Sequence, residues 1–170
     1  MNDSGIEPTA ANHEQPDRQT ALQISKSRAL RILGSRSLSA REVERRLLSK
    51  DESVEVAEET VKWLENLGYI NDPDYAREII RHYQAKGYGL ARIKNELYRR
   101  GIPREISDDA LCGLEGIEDA AIIYLEKKLK GSFDSDDLRR AENALCRRGF
   151  TYEEARTAVK RYLEETENGK

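Results

Sequence analysis

Residues that carry chemistry are scarce in this sequence of 170 positions, which holds two histidines and two cysteines. His13 precedes any hydrophobic pattern, and His82 falls on the polar side of a predicted helix, so neither has an acid–base partner beside it. Cys112 and Cys146 stand on different predicted helices and outside any metal-ligand spacing; they read as buried, reduced thiols of a cytoplasmic protein. No run approaches the roughly 18 apolar residues that a membrane helix needs. The N-terminus lacks a basic start followed by an apolar stretch, so no secretory signal is expected. Gly87-Tyr88-Gly89 lacks the further glycine, the lysine and the strand of a nucleotide loop. No serine has a base nearby in sequence, and no segment alternates as a strand does. These absences exclude a recognisable active site: no catalytic residue, cofactor or metal ligand is expected.

What remains is helical. The chain is 38% hydrophobic and 36% charged, with a net charge of -3, a balance suited to exposed helices. Residues 1–19 are polar, hold Pro8 and Pro16, and show no period, so a disordered tail is expected there. Glycines and caps then divide the rest. A first helix carries Leu22, Ala29, Leu30 and Leu33 and stops at Gly34. A second opens on a Ser39/Glu42 capping box and carries Val43 and Leu47 on one face. A third starts near Ser53, buries Val56, Thr60, Val61, Leu64 and Leu67 with Trp63 at the edge, and ends at Gly68. Asp72 and Pro73 open a fourth with Tyr75, Ala76, Ile79, Ile80 and Tyr83. The fifth carries Ile93 and Leu97 and ends at Gly101; Pro103 opens the sixth, with Ile106, Ala110 and Leu111. The seventh shows Ala121, Ile122, Leu125 and Leu129. Ser135 caps the eighth, which carries Leu138, Ala141 and Leu145 and ends at Gly149. Thr151 and Glu154 box the ninth, which holds Ala155, Ala158, Val159 and Tyr162.

Nine helices group as three sets of three, with a repeat of roughly 45–50 residues. The expected fold is all-α: three tandem three-helix repeats stacked into an elongated, curved body. Its boundaries fall at 20–71, 72–115 and 116–165, with a short tail over 166–170.

One phrase recurs. Leu97-X-Arg99-Arg100-Gly101 returns as Leu145-X-Arg147-Arg148-Gly149, each at the end of a second helix. Between Lys86 and Arg104 lie six basic residues and one acid; between Arg139 and Arg161 lie seven against three. Arginines in a last turn complement the helix dipole. Arginine is also the side chain suited to forked recognition of carboxylates and phosphates. Steps of two and three residues rotate the pair about 200° and 300° from the leucine, so all four arginines are expected to be exposed and to add little stability.

The runs "LGYINDPDYA" (67–76), "KGYGLARIKNEL" (86–97), "RRGI" (99–102) and "RSLSAREVERRLL" (36–48) resemble the RecX family, regulators of the recombinase RecA, over about residues 25–162. Leu90 stands where the family commonly has proline, and Asn71 where it has aspartate. The resemblance implies tandem three-helix repeats without catalytic activity. It implies binding in the groove of the RecA nucleoprotein filament, inhibition of strand exchange and of the linked ATP hydrolysis, and a role in DNA repair and the SOS response. Lys86, Arg92, Lys94, Arg99, Arg100, Arg104, Arg147 and Arg148 are the candidate contacts to filament or DNA. A monomer is expected, without membrane attachment. The alternative is a helix-turn-helix-like module that binds single- or double-stranded DNA directly.

Overall fold

The structure, a computed structural model, describes residues 17–34, 36–130 and 134–168, with side chains as far as residue 166. Among them are nine helices and no strand: α1 (Arg18–Leu33), α2 (Ala40–Leu48), α3 (Val54–Asn66), α4 (Asp72–Ala85), α5 (Leu90–Arg99), α6 (Arg104–Leu111), α7 (Ile117–Leu129), α8 (Ser135–Arg147) and α9 (Tyr152–Asn168). The expected tail at 1–19 lies mostly outside the described residues, although Arg18 and Gln19 already belong to α1. α9 likewise runs past the expected boundary at 165.

Most ends form where local chemistry directs. Ser39 Oγ accepts from Glu42 N at 3.0 Å, and Glu42 returns the bond to Ser39 N at 3.2 Å. Thr151 and Glu154 make the same reciprocal pair. Two caps differ from expectation. Asn71, not Asp72, caps α4 by accepting from Asp74 N at 3.0 Å, and Pro73 takes the second helical position. Asp134, not Ser135, caps α8 by accepting from Asp136 N and Asp137 N. In both helices a carboxamide or carboxylate one residue earlier already reaches the free N–H groups, so the chain enters the helix sooner.

Three buried cores follow in order. The first gathers Ala29, Leu38, Val43, Leu47, Ala57, Val61, Leu64 and Ile70. The second gathers Tyr75, Ala76, Ile79, Ile80, Ile93, Leu97 and Ile102. The third is built around Ala121, Leu125, Ala141, Leu145, Phe150, Ala155 and Tyr162. At the centre of each lies the same pair from the second helix of its unit: Val43 and Leu47, Ile93 and Leu97, Ala141 and Leu145, all at 0% exposure. The fold is therefore all-α, made of tandem three-helix units each organised around its middle helix.

Leu30 was expected in the stripe of α1 but is exposed, because α1 turns Ser25 and Ala29 inward instead. Ser25 sits among polar partners: it accepts from Thr60 Oγ1 at 2.9 Å and donates to Glu52, which also holds Arg28. Of the thiols expected to be buried, Cys112 is exposed and Cys146 is half-buried. Cys112 caps the short helix α6, which buries no residue fully.

Candidate partner-binding groove at the helix ends

Each Arg-Arg-Gly phrase closes its helix through a left-handed glycine. At the end of α5, Gly101 has φ 74° and Ile102 N bonds back to Leu97 O at 3.1 Å. At the end of α8, Gly149 has φ 94° and Phe150 N bonds back to Leu145 O at 3.2 Å. Ile102 and Phe150 are thereby turned into their cores, a hydrophobic contact typical of such ends.

The arginines divide. Arg99 and Arg147 are exposed, as expected. Arg100 and Arg148 are not free surface charges, which corrects the expectation for the second of each pair. A three-residue step places a side chain about 60° short of a full turn from the leucine, at the border of the apolar face rather than opposite it. Arg100 Nε donates to Glu96 Oε1 at 2.7 Å, and its Nη1 donates to Tyr75 Oη. Arg148 Nε donates to Gly87 O at 2.7 Å and its Nη2 to Lys86 O, while the guanidinium lies 4.0 Å and 4.5 Å from the ring centres of Tyr88 and Tyr124.

Glu96 is the pivot of the first cluster. Its side chain is 2% exposed, and Arg99 also holds it through two bonds at 2.9 and 3.0 Å. Burial pushes the carboxyl up, but the bonds and charges of Arg99 and Arg100 outweigh it and bring its pKa down to about 2.

Each helix end is also seated on the preceding unit. The end of α5 meets the start of α2, where Ser39 Oγ, besides capping its own helix, donates to Arg100 O at 2.5 Å. Beside it, Asp72 accepts from Ala40 N at 3.0 Å. Burial raises the Asp72 pKa, opposed by that bond and reinforced by Glu65 and Glu42. The end of α8 meets the start of α5, where Gly89 N donates to Arg148 O at 3.0 Å and Ala91 N to Gly149 O at 3.1 Å. Carbonyls that a helix end leaves open thus meet N–H groups or hydroxyls at a helix start. By the same register, position 51 in unit one matches Gly101 and Gly149. No unit sits on that end among the described residues, and the left-handed position is filled by Asp51 at φ 59°.

Where α5 meets α2, a groove of about 1120 Å³ opens across the joint. Arg41 and Arg45 line one wall; Lys94, Arg99, Arg100 and Arg104 line the other, with Glu44, Asp72 and Asp108 among them. Arg41, Arg45 and Lys94 form no ion pair among the described residues. Arg104 pairs with Asp108 at a long 3.4 Å. Tyr98 stands at the rim and is 83% exposed. Four of the eight cations expected to contact a partner therefore converge: Lys94, Arg99, Arg100 and Arg104. Lys86, Arg92 and Arg148 gather instead at the second joint, where Arg92 lies against Gly149 and over Tyr88. Arg147 is exposed at the end of α8. The sequence reading missed Arg41 and Arg45. Their i, i+4 spacing on α2 puts them on one helix face, a signal that counting charge from residue 86 onward passed over. A cationic wall with fork-shaped donors suits an anionic partner.

Comparison with known proteins matches the first two of these units to family descriptions. The family descriptions "RecX, first three-helix domain" and "RecX, second three-helix domain" match residues 26–64 and 71–111. The chain is 31% identical over 162 residues to the "Regulatory protein RecX" of Xanthomonas axonopodis pv. citri (strain 306), covering 94% of this chain and 98% of that protein. It is 31% identical over 138 residues to the protein of the same name from Pelodictyon phaeoclathratiforme, covering 78% and 84%. The crystal structure of RecX from Lactobacillus salivarius superposes with a TM-score of 0.74 at 25% identity, covering 85% of this chain and 97% of that one.

Proposed function

From the chain's membership of the RecX family, we propose that it is a non-enzymatic negative regulator of RecA. It binds in the helical groove of the RecA–DNA filament as an elongated, curved monomer in the cytoplasm. There it restrains strand exchange and the ATP hydrolysis coupled to it, and so tunes DNA repair and the SOS response. The observation that carries this reading is the groove across the first joint: two units contribute cations to one channel, and Arg41, Arg45 and Lys94 spend none of their charge on partners within the described fold.

The test is RecA-dependent ATP hydrolysis on single-stranded DNA, titrated with the protein. Changing Arg41, Arg45 and Lys94 together to alanine is expected to raise the concentration for half-inhibition at least tenfold, because loss of a charged contact from a buried interface commonly costs ~2–5 kcal/mol. Unfolding stability should shift by no more than about 0.5 kcal/mol, as for ordinary surface changes. Alanines at the exposed Lys127 and Lys128 of α7 serve as the matched control. Unchanged inhibition by the triple variant rejects the groove as the contact.

The exposed Tyr98 beside those cations favours a second reading, direct binding of DNA, since a protruding aromatic ring offers a base a stacking surface. Equal affinity for bare DNA and for the filament, with a steep salt dependence in both, selects that reading.

A further inference from the structure

We propose that the joint between units one and two is a hinge. Unit one swings on it as an arm against a single rigid body formed by units two and three, and the cationic groove is the mouth that a polyanion draws shut.

The rigid body is evident in three places. Ile117 packs against both the second and the third cores, and α4 lies along α7. The second joint is made by backbone: Gly89 N and Ala91 N donate to the carbonyls of Arg148 and Gly149, and a Cβ built on Gly89 would fall 2.4 Å from Gly149 O. The connection between α6 and α7 is tied down as well, because Gln84 Nε2 donates to Glu115 O at 2.7 Å.

None of this recurs at the first joint. No residue is shared between the first and second cores. The bonds that cross are made through side chains, Ser39 Oγ to Arg100 O and Ala40 N to the Asp72 carboxylate. The close approach there is of the Arg41 side chain, from Cβ to Cδ, to Gly101, and not of backbone to backbone. The connecting segment turns at Gly68, φ 73°, with nothing within 4 Å of where a Cβ would stand, and it leaves Leu67 and Tyr69 exposed.

Electrostatics supplies the drive. Arg41 and Arg45 on unit one, with Glu44 beside them, line the groove opposite Lys94 and the Asp108-paired Arg104 on unit two. Cations outnumber carboxylates on both walls, so their excess pushes the arm outward, and an anion seated between them replaces repulsion with attraction to both. The hinge stands on the packing alone, whereas its closing on a partner rests on the proposed binding role of the groove. The experiment separates the two.

Spin labels are placed on cysteines introduced at Glu58 (α3), Arg81 (α4) and Lys128 (α7), all exposed, in full-length protein carrying Cys112→Ser and Cys146→Ser. Distances are then read by pulsed electron resonance. Labels at 58 and 81, and at 58 and 128, are expected to give distributions several ångströms broader than the pair at 81 and 128. Equal widths overturn the hinge. Ser39→Ala with Asp72→Ala should broaden the 58–81 distribution further and leave 81–128 unchanged; broadening of both overturns the independence of the arm. Inorganic polyphosphate, a polyanion with neither base nor peptide, should collapse the 58–81 distribution to one narrow population, and Arg41→Ala with Arg45→Ala should abolish that collapse. Polyphosphate binding with no change in width refutes the closure while the hinge remains measured by the first comparison.

Discussion

The two joints use one phrase and differ in what receives it. At the second, a helix end written Arg-Arg-Gly lands on Gly89, whose φ of -81° any residue adopts. Glycine is needed there only because the backbone of Gly149 leaves no room for a Cβ. At the first, the matching position is Ser39, whose hydroxyl reaches across to Arg100 O. A joint made by main-chain atoms is fixed by the shape of two backbones. A joint made by side chains keeps their rotamers, and with them a measure of freedom.

The comparison can be broken hardest at the left-handed glycines. In Gly149→Ala, a Cβ would sit 2.5 Å from the Arg92 backbone nitrogen at φ 94°. The strained conformation costs ~1–2 kcal/mol and the overpacking ~1–3 kcal/mol. In Gly101→Ala the overpacking is smaller, because the outer part of the Arg41 side chain can rotate away, although its Cβ, 2.9 Å from the new methyl, cannot. Urea unfolding should therefore show losses of about 4 and about 2.5 kcal/mol respectively. Comparable losses would mean that the first joint is as tight as the second.

Next come the arginines. Arg148→Ala removes two bonds to carbonyls and stacking on two tyrosines, together about 3 kcal/mol. Arg100→Ala leaves Glu96 still paired with Arg99 and should cost about half as much. Thermal or urea unfolding of the single variants checks the order.

Acid sharpens the comparison more gently. The Glu96 pKa is depressed in the folded state, to about 2. The stability it contributes is present above its ordinary value and is lost as pH falls from about 4.5 toward 2. Glu96→Gln should flatten that part of the stability–pH curve by about 2 kcal/mol. Asp72 has the opposite sign. Its raised pKa makes the ionised form the less favourable one in the fold, so its contribution is larger at low pH and is lost as pH rises through the folded value. Asp72→Asn keeps an acceptor for Ala40 N and removes the buried charge. It should stabilise the protein at pH 7 by less than about 1 kcal/mol, the smallest effect here. Destabilisation at pH 7 would show that the charge itself anchors the joint.

Much of the fold was legible because helix ends are local. Gly34, Gly68, Gly101 and Gly149 stop their helices where expected, and the boxes at Ser39 and Thr151 form with both bonds. The failures share a cause, which is distance along the chain. Arg148 spends its donors on carbonyls 61 and 62 residues away. Asp72 looked like a cap for α4, yet it serves a helix start 32 residues earlier. No periodicity encodes either choice. Half of the proposed cations converge on one groove, because a run of charge shows which segments are basic but not which segments will face each other.

Asp51 carries a last consequence. The first unit ends its middle helix with the same left-handed turn as the others, but with a side chain in place of glycine. The two internal turns need glycine because a Cβ there would fall within 3 Å of the neighbouring unit. Among the described residues no unit is seated on the turn at 51, so only the conformational cost of the left-handed region bears on its residue, and aspartate enters that region more readily than most side chains.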